Sequence, residues 1–182
     1  LNDIEAPLVE VAQLPINPPH ALIVENLETG LALPDMDGVV AFMRLGHAVT
    51  MLAEVPWLQG CDISYWGDID THGYAILNRA RSLFPNLVSV LMDQETFLSY
   101  QDLWGEEEAQ CPDATLPLLT EHENVLFRAL KDGRWGSRLR LEQERIPWPA
   151  AIERLWKAVA SARNKNAKLL AQHGHISPSR LI

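Results

Sequence analysis

Apolar residues gather along this chain in short uncharged runs, each closed by a charged residue or a turn. His20-Ala21-Leu22-Ile23-Val24 runs into Glu25-Asn26, and Val39-Val40-Ala41-Phe42-Met43 into Arg44-Leu45-Gly46. Ile63-Ser64-Tyr65-Trp66 runs into Gly67-Asp68-Ile69-Asp70, and the run over residues 87–92 into Asp93. Runs of this length predict strands covered on both faces. Residues 47–58 carry Val49, Leu52 and Val55, and residues 74–84 carry Ile76, Leu77, Ala80 and Leu83, spacings that predict helices. The order strand, link, strand, helix, strand, helix, strand predicts an α/β fold on a mostly parallel four-stranded sheet with helices on its faces.

The flanks read differently. Residues 1–19 hold Pro7, Pro15, Pro18 and Pro19 and predict an irregular lead-in. Residues 94–115 predict a helix and then a loop, with Glu106-Glu107-Glu108 as a solvated face. Thr120-Glu121-His122-Glu123 matches a capping box, opening a helix through Val125, Leu126, Ala129 and Leu130 that Gly133 stops. Residues 134–146 form the arginine-dense stretch, interleaving bases with acids. Pro149 suits the first turn of a last helix carrying Ile152, Leu155, Trp156 and Val159. From Asn164 the chain is basic and polar, and His173-Gly174-His175 reads as part of a tail, not a metal site. The expected organisation is a lead-in over 1–19, one domain over 20–160 and a tail over 161–182.

Chemistry concentrates where two strands end. In extended backbone Asp68 and Asp70, two residues apart, point to one side. Adjacent carboxylates repel, and one stays protonated unless a cation lies between them. A solvated turn is the ordinary explanation of an isolated Asp-x-Asp, since Asp favours turns. Here a buried run precedes it, and Glu25 ends a second such run. In open α/β sheets ligands gather beyond the carboxyl ends of strands. Glu25, Asp68 and Asp70 form an all-oxygen set, which suits Mg²⁺ or Mn²⁺ and not zinc. A carboxylate-held Mg²⁺ handles phosphate, so phosphodiester cleavage is the leading reaction class. An EF-hand is excluded, because the twelfth position counted from Asp68 is Arg79, where a bidentate Glu is needed.

Composition narrows the partners. The 182 residues carry a formal net charge of −9, so the surface repels nucleic acid unless bases cluster or a cation intervenes. Tight binding of DNA by this chain alone is not expected. The hydrophobic content of 47% is ample for a core. No apolar run is long enough to span a bilayer, and no signal peptide is visible. Cys61 and Cys111 are unpatterned and fit a reducing cytoplasm. The chain opens on Leu1 and not on Met, and reads as a fragment or a processed chain.

A strand ending in Glu-Asn, followed some forty residues later by a strand and Gly67-Asp68-Ile69-Asp70-Thr71-His72-Gly73, resembles the Toprim domain of topoisomerases, primases and related nucleases. With Val24-Glu25-Asn26-Leu27-Glu28-Thr29, Leu91-Met92-Asp93 and Leu141-Glu142-Gln143-Glu144-Arg145-Ile146, the chain closely resembles the carboxyl-terminal domain of JetD proteins, nuclease subunits of the Wadjet plasmid-defence system. The resemblance runs from about residue 20 to residue 160. It implies a Toprim (Rossmann-like) fold akin to the topoisomerase VI A subunit, with additional C-terminal helices. It implies a DNA endonuclease that cuts closed circular double-stranded plasmid DNA beside condensin-like SMC complex subunits, and a homodimer in the full-length protein. The family's metal positions match Glu25, Asp68 and Asp70. Glu142 and Glu144 match its Leu-Glu-Gln-Glu-Arg motif, one of them adding a ligand or a general base; Glu142 is the candidate ligand and Glu144 the candidate catalytic group beside Glu25, Asp68 and Asp70. Arg138, Arg140 and Arg145 are the candidate DNA contacts. The family's amino-terminal DNA-binding arm is absent here, which agrees with a carboxyl-terminal fragment. No tyrosine nucleophile is identifiable, so hydrolysis by metal-activated water is preferred over covalent strand transfer.

Two other readings remain. A haloacid-dehalogenase-type phosphatase also starts from a strand and Asp-x-Asp, but uses neither Glu25 nor the arginine-rich segment. A non-catalytic Toprim docking module fits the negative charge and the six tryptophans. It gives no reason for Glu25, Asp68 and Asp70 to be kept together.

Overall fold

The computed structural model describes residues 4–173, with side chains described through residue 161. Four parallel strands form the central sheet: β1 (His20–Val24), β2 (Val39–Met43), β3 (Asp62–Trp66) and β4 (Val88–Ser89), in the order β2-β1-β3-β4. β1 pairs with a neighbour on each side, and all five of its residues are buried. That accounts for its unbroken apolar sequence. After β1 the chain moves outward to β2, then returns across β1 to build β3 and β4 on the other side. The switch point therefore lies between β1 and β3, the crevice where open α/β sheets bind their ligands.

The helices are α1 (Leu8–Ala12), α2 (Leu27–Leu31), α3 (Thr71–Leu83), α4 (Gln94–Ser99), α5 (Glu121–Lys131) and α6 (Trp148–His173). The core joins β1 and β3 to the inner faces of these helices through Trp66, Tyr65, Tyr74, Phe97 and Phe127, all fully buried. The α/β architecture expected from the sequence is present, a four-stranded parallel sheet flanked by helices and consistent with a Toprim-like fold. No helix among the described residues is long and apolar enough to cross a membrane.

Several elements depart from expectation. The lead-in is not wholly irregular: α1 follows directly after Pro7, and Trp57 Nε1 donates to the Val11 carbonyl at 2.9 Å, tying it to the domain. The helix expected over 47–58 is two 3-10 helices, Gly46–Glu54 and Pro56–Gly60, because Pro56 has no N–H to continue the ladder. The strand expected over 87–92 keeps only Val88–Ser89, since Leu91 takes φ 60° and turns the chain inward. α5 carries the complete capping box between Thr120 and Glu123. It ends in a Schellman motif, with Arg134 N–H on the Ala129 carbonyl and Gly133 N–H on Leu130, Gly133 being at φ 65°. α6 continues to His173, so the boundary expected at residue 160 falls inside a helix. Gly174 and His175 of the His-Gly-His run lie outside the described residues.

One further pairing concerns the acidic end of the sheet. β5 (Gly105–Glu106) and β6 (Leu139–Arg140) form a two-stranded antiparallel ladder. Beyond it, Leu141 makes an antiparallel bridge to Ile69. The sequence analysis assigned strands to neither segment.

Candidate metal centre

Glu25 follows β1 and Gly67 follows β3, so the register Val24↔Trp66 sets Glu25 beside Gly67. Glu25 N–H donates to the Trp66 carbonyl at 3.1 Å. The Glu25 carboxylate then folds over Gly67: its Oε2 accepts from the Tyr65 hydroxyl at 3.0 Å and from Asp68 N–H at 3.4 Å. Only glycine fits below it, because a Cβ at residue 67 would lie 2.5 Å from both Glu25 Oε2 and the Tyr65 hydroxyl. Burial, together with the charges of Asp68 and Asp70, pushes the Glu25 carboxyl up to about 7. Glu25 Oε2 thus lies over the main chain of Gly67 and Asp68, at the sheet edge where the sequence predicts the three acids.

Asp68 and Asp70 lie on one side of an extended stretch while Ile69 points into the core at 1% exposure. Each carboxylate has one oxygen tied by backbone. Gln143 N–H donates to Asp68 Oδ1 at 2.8 Å, and Gly73 N–H donates to Asp70 Oδ1 at 2.7 Å. Asp70 is the N-cap of α3, so it shapes the helix start as well as the acid pair. Burial raises the Asp70 carboxyl, the Asp68 charge adds to this, and Gly73 N–H and Arg140 oppose it. Gly73 closes the turn: a Cβ there would run into the Asp68 carbonyl oxygen.

The arginine-rich segment enters through the Ile69–Leu141 bridge. Ile69 N–H donates to Leu141 O at 2.9 Å and Leu141 N–H to Ile69 O at 3.1 Å. In that antiparallel register Arg140 faces Asp70 and Glu142 faces Asp68. Arg140 Nε lies 3.0 Å from Asp68 Oδ2 and 3.3 Å from Asp70 Oδ2, its Nη2 also donates to Asp68 Oδ2, and its Nη1 lies 3.5 Å from Glu142. Arg140 therefore occupies the acid pair as a cation. Among the described residues no group of three His, Cys, Asp or Glu side chains is arranged to hold a metal ion. The donor chemistry nonetheless fits a hard divalent cation. Among the described residues Asp68 Oδ2 and Asp70 Oδ2 are engaged by Arg140 alone, and burial together with both aspartate charges raises Glu25 beside them.

The other expected residues are placed as follows. Glu142 pairs with Arg140 and Arg145 at the rim. Glu144 is exposed, and partial burial, with Asp68 and Glu142 nearby, raises its carboxyl. Arg138 is exposed and bonds Glu106 and the Glu108 carbonyl, and Arg145 bonds Glu142 and the Leu103 carbonyl.

The sequence reading missed Gln143, the residue between the two glutamates. It is fully buried, and its Oε1 accepts from Glu25 N–H at 3.1 Å and Asn26 N–H at 3.0 Å. With its own N–H on Asp68, Gln143 clamps the loops after β1 and β3 together. Glu107 is a correction: it is 3% exposed, not part of a solvated face, and accepts from Thr71 N–H and the Thr71 hydroxyl at the start of α3. Arg81 on α3 is buried in a two-pronged ion pair with Glu123. Asp93, the third strand-end acid, caps α4 at Thr96 N–H and pairs with Arg154.

The family described as Wadjet protein JetD, C-terminal, matches residues 1–155. The chain belongs to this JetD family. Membership supports a role in Wadjet defence, within a multi-subunit SMC-like complex. No curated protein matches the chain. The JetD match covers the switch-point acids, the Gly-Asp-x-Asp-x-x-Gly turn and the 138–145 segment, all of the site described above.

Proposed function

We propose that this site is a Mg²⁺- or Mn²⁺-dependent DNA endonuclease centre that cleaves closed circular plasmid DNA by hydrolysis. The observation that carries the reading is the placement of Glu25, Asp68 and Asp70 at the switch point, where burial first and then the two aspartate charges push the Glu25 carboxyl up to about 7. Glu25, Asp68 and Asp70 would hold the ion, with Glu142 as a further ligand. When bound, such an ion neutralises phosphoryl oxygens and lowers the pKa of a coordinated water.

The chain's own residues do the rest. Gln143 and Gly67 fix the acids in place. Tyr65, whose hydroxyl is pushed well up by burial and then by the Glu25 charge, stays protonated and keeps donating to Glu25. Glu144, exposed at the rim with a raised carboxyl, is the group able to take a proton from an attacking water. Arg138, Arg140 and Arg145 offer positive charge along the segment that crosses the site, for double-stranded DNA presented by the SMC complex. JetD membership favours this reading over the phosphatase.

An acidic chain with its DNA-facing arginines engaged by carboxylates should cut slowly alone and faster when a partner presents DNA. The test is plasmid nicking in Mn²⁺ beside an Asp68→Ala control. Cleavage lost in the control is expected. Equal cleavage by the Asp68→Ala protein would sink the reading. So would no cleavage by full-length protein supplied with its SMC complex.

A further inference from the structure

Both outward oxygens of the acid pair carry the same guanidinium. Asp68 Oδ1 and Asp70 Oδ1 are tied to backbone N–H groups, so a cation shared by the two residues has Asp68 Oδ2 and Asp70 Oδ2 to bind. Arg140 holds both, with Nε between them at 3.0 and 3.3 Å. Its third nitrogen reaches Glu142. The two aspartate side chains are 7% exposed and that of Arg140 is 33% exposed, so the carboxylates are fixed while the arginine has a way out.

We propose that Arg140 is a resident counter-ion that a divalent metal must displace. The inference rests on the metal-centre reading proposed above. Without metal, Arg140 neutralises the acid pair and holds the Asp-x-Asp turn against its own repulsion. A divalent ion on the same oxygens repels the guanidinium and also removes its acceptors, so the two cations alternate at one place. Arginine suits the task because its planar fork spans two carboxylates and stays charged at every working pH. Its position one residue before Leu141 puts it opposite the acids whenever the Ile69 bridge is formed. The exchange lowers metal affinity, because each binding event must break the ion pairs first.

Mn²⁺ titration calorimetry on the chain tests this. Arg140→Gln should bind Mn²⁺ about tenfold more tightly than the wild type, with its far-ultraviolet spectrum unchanged. Asp68→Asn should lose binding. Unchanged or weaker affinity in Arg140→Gln, with Asp68→Asn still abolishing binding, overturns the exchange and leaves the metal centre standing. Binding that survives Asp68→Asn overturns the metal centre and the exchange with it. A second measurement keeps the wild-type fold. Phenylglyoxal modification of Arg140, read by peptide mass spectrometry, should quicken at saturating Mn²⁺ while exposed Arg128 on α5 stays constant. A rate at Arg140 that Mn²⁺ leaves unchanged or slows overturns the proposal.

Discussion

A Cβ on residue 67 would stand 2.5 Å from Oε2 of Glu25, so Gly67 is the floor on which the first acid rests. Gly73 stands in the same relation to Asp68, but against its main-chain carbonyl. The two glycines of Gly-Asp-x-Asp-x-x-Gly are thus required for different reasons. The Glu25 carboxylate can swing away and the Tyr65 ring, though buried, can tilt, whereas the Asp68 backbone carbonyl against a residue-73 Cβ cannot yield without moving the turn. Gly73→Ala should therefore lower the melting temperature more than Gly67→Ala. Gly67→Ala should weaken Mn²⁺ binding most, by displacing Glu25. Thermal melts and Mn²⁺ titrations of the two variants check the contrast, and equal melts would contradict it.

Glu25 gives a pH dependence with a definite sign. Its carboxyl stands near 7 in the fold, above the ordinary 4.5, so the unfolded chain gives up this proton first as pH rises. Its contribution is fully present below 4.5 and is lost as pH climbs to about 7, by roughly 2 kcal/mol after allowance for solvent screening. Glu25→Gln should be the more stable protein at pH 8 and should show a flatter profile. Urea unfolding from pH 4.5 to 8 measures both; a steeper profile in the variant would contradict the assignment.

Glu123 has the opposite sign. Burial pushes its carboxyl up, but bonds from Arg81 and Ser89, with Thr120 N–H, hold it down to about 2. Its contribution is present above 4.5 and is lost as pH falls toward 2. Glu123→Gln leaves the buried Arg81 without its partner and should cost on the order of 3 kcal/mol. The pair Arg81→Met with Glu123→Gln should cost less than the two single changes summed, as chemical denaturation of the four proteins would establish. Strict additivity would mean the pair is not coupled.

Gln143→Ala should uncouple the two acid-bearing loops. Losing one buried acceptor for two N–H groups costs about 1–2 kcal/mol. Mn²⁺ affinity should fall further than that instability explains, because the segment whose backbone N–H still holds Asp68 loses its grip on the Glu25 and Asn26 N–H groups. Gln143→Leu, which keeps the bulk without the acceptor, should behave like Gln143→Ala in the titration. A Leu variant with normal affinity would reduce Gln143 to a packing residue.

The sheet and the three acids were legible because their signals are local. β1 is an uncharged run ending at Glu25, the uncharged residues 63–66 of β3 lead through Gly67 to Asp68, and the capping box of α5 is contained in Thr120–Glu123. What escaped notice depends on partners remote in sequence. Gln143 sits between two glutamates that draw attention, and only burial reveals that it holds Glu25 and Asp68. Glu107 lies in a run of three glutamates, and it follows the β5–β6 ladder with its carboxylate turned in to Thr71. Arg138-Leu139-Arg140-Leu141 does alternate with period two, a strand signal overshadowed by the density of charge. α2 also left a trace in Asn26, whose side chain accepts from Thr29 N–H as a helix cap.

The Ile69–Leu141 bridge carries a consequence for the order of events during synthesis. Gln143 reaches Asp68 across 75 residues and Glu25 across 118. A ribosome that has released the whole parallel sheet has still not released the segment that braces the acids. Until residues 138–145 emerge, Asp68 and Asp70 lack their counter-ion and Asp68 lacks its clamp. A site built this way is completed only once the sheet that carries its acids already exists.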